Sequence, residues 1–438
     1  MSAPVNAPQA GGSVGTAQAG SAAAGWTLAV LFLTNFLSVA DRALLGVVTE
    51  PVRLDLGLSD TQISLANGLL FVGFNLVAGI FIARMVDRGN RKRILIWGVA
   101  AWSLATALTG LATDFYTLSA ARIAVGIGEA TAFPVALSMI PDLFRSQRRA
   151  GAVAIFQTST YVGIIAGTIA AGIFAAALGW RNMFVICGAA GIVVIALLMF
   201  TIREPDREKA EGDDLPKLAY LADLMGGMRR ILARPGFLAL ATGFGVSTAI
   251  VATLSTWGAA FFQRAHGVPL AEVGLVIGPP VGIGGIAGMM VSGLLANRLA
   301  RRRGRQSDML LIPLLALPIA VPVVAIYLFS PSLSVAVFAA GVMNFLLSCA
   351  WAPCLALSLA LAAPTDRALA STLMLVASGL LGGGLGPLIV GLVSDLATTG
   401  QDAAGLRSGM SFMMIVPVIS FILLAVAWRQ ADRQFARG

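Results

Sequence analysis

Twelve separate apolar stretches, each of roughly 20 residues or more, decide what this chain can fold into. They cover residues 26–50, 61–84, 93–112, 116–141, 149–178 and 181–202, then 236–263, 271–297, 308–329, 333–362, 368–396 and 408–429. In hydrocarbon every backbone N–H and C=O must find a partner inside the protein, which leaves only helices and closed barrels. The stretches are too long for barrel strands and lack their even alternation. An all-α membrane protein with twelve transmembrane helices is therefore expected. Composition agrees: 58% of residues are hydrophobic and 12% charged, so the chain must be solvated mainly by lipid.

Basic residues mark one side of this array. Arg84, Arg88, Arg91, Lys92 and Arg93 follow the second span, Arg145, Arg148 and Arg149 the fourth, and Arg298, Arg301, Arg302, Arg303 and Arg305 the eighth. The opposite loops hold only Arg53, Arg181, Arg264 and Arg407. By the positive-inside rule the richer side, with both termini, faces the cytoplasm. The net charge of +9 is thus a topology signal. Bases scattered over short loops form no stripe that could follow a nucleic acid, and none is expected as a partner.

Cys187, Cys349 and Cys354 all lie in apolar stretches, and His266 is the one histidine. That leaves no disulfide framework, no metal-ligand set and no Cys/His nucleophile, so no catalytic residue, metal or organic cofactor is expected. Residues 1–25, rich in Ala, Gly, Ser, Pro and Gln, read as a disordered cytoplasmic tail and not as a signal peptide. Two six-helix bundles, 26–202 and 236–429, are joined by a charged linker, 203–235, and a short cytoplasmic tail, 430–438, follows. In the linker, Leu215, Leu218, Leu221, Ala222, Met225, Met228, Ile231 and Leu232 recur at helical spacing. They fit an amphipathic helix on the membrane surface, or a linker helix packed against the loops.

The halves echo one another. The segment Gly79 to Arg93 closes the second span and Gly293 to Arg305 closes the eighth, the second of its own half, which points to an internal duplication. The first copy, with Asp87, Arg88, Arg91 and Lys92, resembles the loop motif of the major facilitator superfamily. Ala83 and Asn90 stand where that motif has glycines, and Asn297, before Arg298, stands where the second copy has an acid. The resemblance implies a cytoplasmic gating role for Asp87, Arg88, Arg91, Lys92, Asn297 and Arg298. Further along, the run Asn35 to Arg42, then Trp102-Ser103, Arg122 to Ala130, Pro134, Asp142 to Phe144, Arg149 and Gly179-Trp180-Arg181, is similar to the Spinster branch of that superfamily over residues 35–205. That likeness implies a bacterial inner-membrane carrier, expected to be a monomer, of amphiphilic lipids such as lysophospholipids or sphingoid phosphates, with the proton as coupling ion.

Charge inside the bilayer costs about 2.5–3.5 kcal/mol per residue even on a lenient scale, so each such side chain needs a partner or a wet cavity. The first half carries four: Asp41 and Arg42 in span one, Arg122 and Glu129 in span four. Arg122 and Glu129 share one helical face, roughly 10 Å apart along the axis. The four can meet if spans one and four border one cavity. They could form a neutral lock between two helices, or a switch in which Asp41 and Glu129 take up protons while Arg42 and Arg122 hold them or an anionic headgroup in turn. Glu50, at the outer end of span one, is assigned no more than the rim.

No span of the second half carries a charge in its interior, and its polar groups are mild. Candidate cavity-lining residues are Asn67, Gln157, Thr160, Tyr161, Thr253, Trp257, Asn344, Phe345 and Trp351. Glycines in spans five, eight and eleven suit both close packing and sliding helices. Together these features point to alternating access by two rocking halves around a midplane site. A carrier of small organic anions or hydrophobic drugs is the alternative, and a membrane-embedded lipid enzyme a remote one.

Overall fold

The computed structural model describes residues 21–205, 217–397 and 403–436. Among them there are helices and no strands. Spans one to six are Ser21–Val47, Asp60–Arg88, Arg91–Thr109, Phe115–Leu143, Ser146–Leu178 and Trp180–Thr201. Spans seven to twelve are Phe237–His266, Leu270–Arg303, Gln306–Phe329, Leu333–Leu361, Arg367–Ala397 and Ala403–Phe435. Eleven are long and apolar enough to cross a membrane by those measures alone. The remaining one, span three, opens on Arg91, Lys92 and Arg93, which shorten its apolar run.

Several boundaries differ from the sequence expectation. Residues 21–25, expected in the N-terminal tail, already belong to span one, because Ser21-Ala-Ala-Ala carries enough helix propensity to extend it. The last helix runs to Phe435 instead of ending near 429. The rest of the N-terminal tail, residues 1–20, and residues 437–438 of the C-terminal tail lie outside the described residues, as does Leu215. The linker helix is Lys217–Leu232. Its last turn rests on the second half: Ile231 is buried, and Arg230 donates to both carboxylate oxygens of Asp366 at 3.1 and 2.8 Å.

Span one ends earlier than read. A separate short helix, Thr49–Leu56, follows it and is closed by Gly57, whose φ of 62° is the left-handed conformation a glycine adopts without strain. Span two then starts on a capping box between Ser59 and Gln62. The fourth span of each half is broken near its middle: Phe115–Glu129 gives way to Ala132–Leu143, and Leu333–Ser348 to Trp351–Leu361. Spans two and eleven each contain a wide π-helical segment, Leu65–Leu70 and Ser378–Leu385.

Small residues set the helix spacing. A Cβ on Gly167 would lie 2.6 Å from the Cα of Ala40, so spans one and five touch through backbone. Between the halves, a Cβ on Gly274 of span eight would lie 2.1 Å from the Thr168 carbonyl of span five. Such contact lets dispersion act over a long seam without interlocked side chains.

On the face that carries the basic loops, Arg91 fixes the first half from within. Its guanidinium is buried and donates to Asp142, to Glu204 (2.7 Å), and to the carbonyls of Ser138 (3.0 Å) and Pro205 (2.8 Å). Lys92 adds bonds to the Met199 and Ile202 carbonyls at 2.9 and 2.7 Å, closing the end of span six. The motif residues expected to gate between halves thus include two that staple spans three, four and six of one half. Arg91→Ala should strand two half-buried carboxylates and cost about 1.5–3 kcal/mol. Arg91→Lys should recover little of this, since one ammonium cannot reproduce the planar fork. Thermal unfolding in detergent checks it, and a wild-type midpoint for Arg91→Ala would refute the staple.

Candidate functional site

Spans one and four bring the four intramembrane charges together. Arg42 Nε donates to Glu129 Oε2 at 2.5 Å, and Arg122 Nη1 pairs with Asp41 Oδ2 at 3.6 Å. Local sequence packs spans two and three against this turn of span four. Gly126 lies between Arg122 and Glu129, and a Cβ there would sit 2.8 Å from the Phe71 carbonyl of span two. Gly128 does the same for span three, where a Cβ would lie 2.6 Å from the Trp102 nitrogen. Asn75 of span two donates to the Gly126 carbonyl at 2.7 Å, holding the contact.

Two residues that the sequence reading passed over complete the cluster. Thr106 of span three donates to Asp41 Oδ1 at 2.9 Å. Phe71 of span two lies under both cations, with the Arg122 and Arg42 guanidinium carbons 4.8 and 5.6 Å from its ring centroid. A hydroxyl or phenyl in an apolar span carries no mark of its own; only the third dimension sets it beside a charge.

The cluster is buried yet incompletely bonded. Arg122 is wholly enclosed, and among the described residues none of its three guanidinium nitrogens has a hydrogen-bond partner. Glu129 Oε1 and Asp41 Oδ2 are likewise unbonded. Of the four, only Arg42 has a substantially exposed side chain, at 44%. It opens into a cavity of about 450 Å³ between the halves, walled by spans one, five, seven, eight, ten and eleven. Apart from Arg42, the wall carries mild polar groups and long apolar stretches.

Of the nine expected cavity residues, Thr160, Tyr161, Asn344 and Trp351 line this cavity. Asn67, Gln157, Thr253, Trp257 and Phe345 do not. Trp257 and Thr253 are buried in packing, and Phe345 faces a groove between spans eight and ten instead. Helical periodicity alone could not separate these faces, because both lipid and cavity are apolar. Asp87, Arg88, Asn297 and Arg298 are exposed on the face with the basic loops.

At the opposite face the two halves are tied shut, and here the reading of Glu50 as mere rim needs correction. Arg264 of span seven reaches across to the first half, with Nε to Glu50 at 2.6 Å and a two-pronged bond to Asp60 at 2.9 Å on each oxygen. Arg53 holds Glu50 at 2.8 Å, and Ser394 donates to Asp60 at 2.7 Å. Asp395 of span eleven accepts from the backbone N–H groups of Asp60 and Thr61 at 3.0 and 2.8 Å. Trp257 donates to Ser64 at 3.2 Å, beneath this network. In sequence Arg264 and Glu50 are lone charges at span ends, and nothing local pairs them.

Comparison with known proteins bears on the family and the fold. A Major Facilitator Superfamily profile matches residues 31–325. An MFS-type efflux pump of Mycolicibacterium smegmatis is 30% identical over 92% of both chains. Human protein spinster homolog 1 is 29% identical over 84% of this chain and 72% of its own. The crystal structure of a bacterial homolog of the human lysosomal transporter Spinster, inward-facing and unoccupied, superposes with a TM-score of 0.83 at 27% identity, covering 96% of this chain and 99% of that one.

Burial pushes the Glu50 carboxyl up, but hydrogen bonds and charge from Arg53 and Arg264 outweigh it and hold the group below its ordinary value. A depressed carboxylate contributes stability above its ordinary pKa and loses it as pH falls through the lowered one. The closed network should therefore be constant from about pH 8 to 5 and fail only in stronger acid, below about pH 4. Labelling of Ser255→Cys by an impermeant thiol reagent from that face should follow this course. Arg264→Ala, which leaves the buried Asp60 with only the Ser394 hydroxyl and Arg53 at 3.7 Å, should raise labelling at neutral pH by about tenfold or more. Unchanged labelling would remove the network from the gate.

Proposed function

The chain belongs to the Major Facilitator Superfamily, in its Spinster-like branch, and on that footing we propose a proton-coupled carrier of an amphiphilic, lipid-like anion working by alternating access. It is a membrane transporter and not an enzyme. The observation that carries the coupling proposal is the unsaturated bonding around Arg122. Three guanidinium nitrogens with no hydrogen bond from the protein, one of them in a loose 3.6 Å ion pair with Asp41, beside two half-bonded carboxylates leave room for partners to change, which a static lock would not need. Protonation of Asp41 or Glu129 releases a cation, and an anionic headgroup entering from the cavity can engage Arg42.

The cavity supports the substrate class through its asymmetry: one cation at one wall, uncharged and mostly apolar surface on the others. A headgroup would meet Arg42, and a chain would lie along spans seven, eight and ten. In this proposal the face with the basic loops is cytoplasmic, so the structure is closed to the outside, like the inward-facing Spinster homolog it resembles. Transport of small organic anions is the second reading. It rests on Arg42 alone and on 24% identity to a probable galactarate/D-glucarate transporter of Escherichia coli.

Uptake into proteoliposomes decides between them. A panel of lysophospholipids, sphingoid phosphates and dicarboxylates, each with and without a pH gradient, should show gradient-driven flux for the amphiphiles. Asp41→Asn and Glu129→Gln should each abolish the gradient dependence, and Arg42→Ala should weaken binding by about tenfold or more. Full gradient dependence in both carboxylate variants would refute the coupling assignment, and flux confined to dicarboxylates would refute the substrate class.

A further inference from the structure

Span two touches the charge cluster on one side and the second half of the protein on the other, and two adjacent residues make these contacts. Phe71 lies against Arg42 and Arg122. Val72, next in sequence, reaches span eleven, where its methyls lie 3.3 and 3.1 Å from where Cβ atoms on Gly379 and Gly383 would be. Directly before Phe71 is the π-helical segment Leu65–Leu70, and directly opposite is its counterpart Ser378–Leu385. The two wide turns meet across the seam, since a Cβ on Gly68 would lie 3.1 Å from the Gly383 carbonyl. A π turn inserts a residue into the helical register and leaves a weaker backbone ladder, so it re-aims the next turn and bends more easily than α-helix.

The charged and titratable groups at the cluster are few. Span one supplies Asp41 and Arg42, span four Arg122 and Glu129, and span six Cys187, which feels the Asp41 charge. Tyr161 of span five shares the cavity wall with Arg42. Span three gives only the Thr106 hydroxyl and span two only the Phe71 ring. The ring is therefore the neutral contact that both cations share. An aromatic face attracts a guanidinium within about 6 Å without competing for a proton.

We propose that Phe71 is a positioning residue for charge exchange: its ring holds Arg42 and Arg122 while either one releases a carboxylate, and its place in span two transmits that exchange to the seam with span eleven. This rests on the proton-coupled reading above. Without the ring, both cations depend more heavily on Asp41 and Glu129, so stronger acid is needed to separate them. Gly126 fixes the Phe71 backbone on span four, so a displacement of the cluster moves span two and, through Val72, the contact with the other half.

The test tracks the halves as they separate at the face closed by Arg264. Spin labels at Tyr116→Cys and Phe329→Cys, both exposed at that face, are placed in a chain with Cys187, Cys349 and Cys354 changed to alanine. Their distance distribution is recorded against pH for the parent, Phe71→Leu and Phe71→Tyr, with Phe71→Met as a second ring-free variant should the leucine form fail to fold. The parent should shift between closed and open populations with pH. The ring-free variant should shift with a midpoint about 0.5–1 pH unit more acidic, and Phe71→Tyr should return to the parent midpoint. A parent that does not respond to pH overturns the proton-coupled reading and this inference with it. A parent that responds, with the ring-free variant coincident or the tyrosine variant no better than leucine, overturns the role of Phe71 alone.

Discussion

Burying a guanidinium in a low-dielectric interior demands acceptors, and three buried arginines organise this protein by how they meet that demand. Arg91 and Arg264 satisfy it: all three guanidinium nitrogens of each are bonded to carboxylates or carbonyls. The first unites helices of one half, and the second unites the halves. Arg122 is just as enclosed but has a distant carboxylate, an aromatic ring and unbonded nitrogens. Saturated arginines make joints. An unsaturated one, held in place by the packing around it, is a site where partners can change.

That contrast also orders the dynamics. The saturated Arg264 network closes one face, while the unsaturated cluster reaches the cavity between the halves through Arg42. Glycine contacts between spans five and eight give the halves a seam with little to disengage. The broken fourth spans divide each of those helices near its middle, and in the first half the break at Ala130-Thr131 comes directly after Glu129. A shift of the charge pairs thus occurs at a point where the backbone is already interrupted.

Much of this was legible in the chain. Apolar length gave the span array, and the four intramembrane charges stood out because hydrocarbon makes them costly. Opposite helix directions and a spacing of seven residues put them at overlapping depths, so that they can meet if spans one and four border one cavity. What stayed hidden was set by long-range pairing: Glu50 with Arg264, Arg91 with Glu204, and Thr106 and Phe71 with the charge cluster. Cavity faces were half readable, since Trp257 and Phe345 are as apolar as a cavity wall and differ from Trp351 only in which way their helix turns. The π segments left no sequence mark beyond Gly68 and the glycine run 382–384, which also serve close packing.

Asp395 gives the closed face a further meaning. It accepts the first two backbone N–H groups of span two, so the second half adds to the Ser59–Gln62 capping box of a helix belonging to the first. Such a cap is worth about 1 kcal/mol, and a carboxylate there also complements the positive end of the helix dipole. When the halves part, that stabilisation goes with them, and the first turn of span two keeps only the Ser59–Gln62 capping box of its own half. The capping of one helix end therefore varies with the state of the whole molecule, and amide exchange at residues 60 and 61 would report which way the carrier faces.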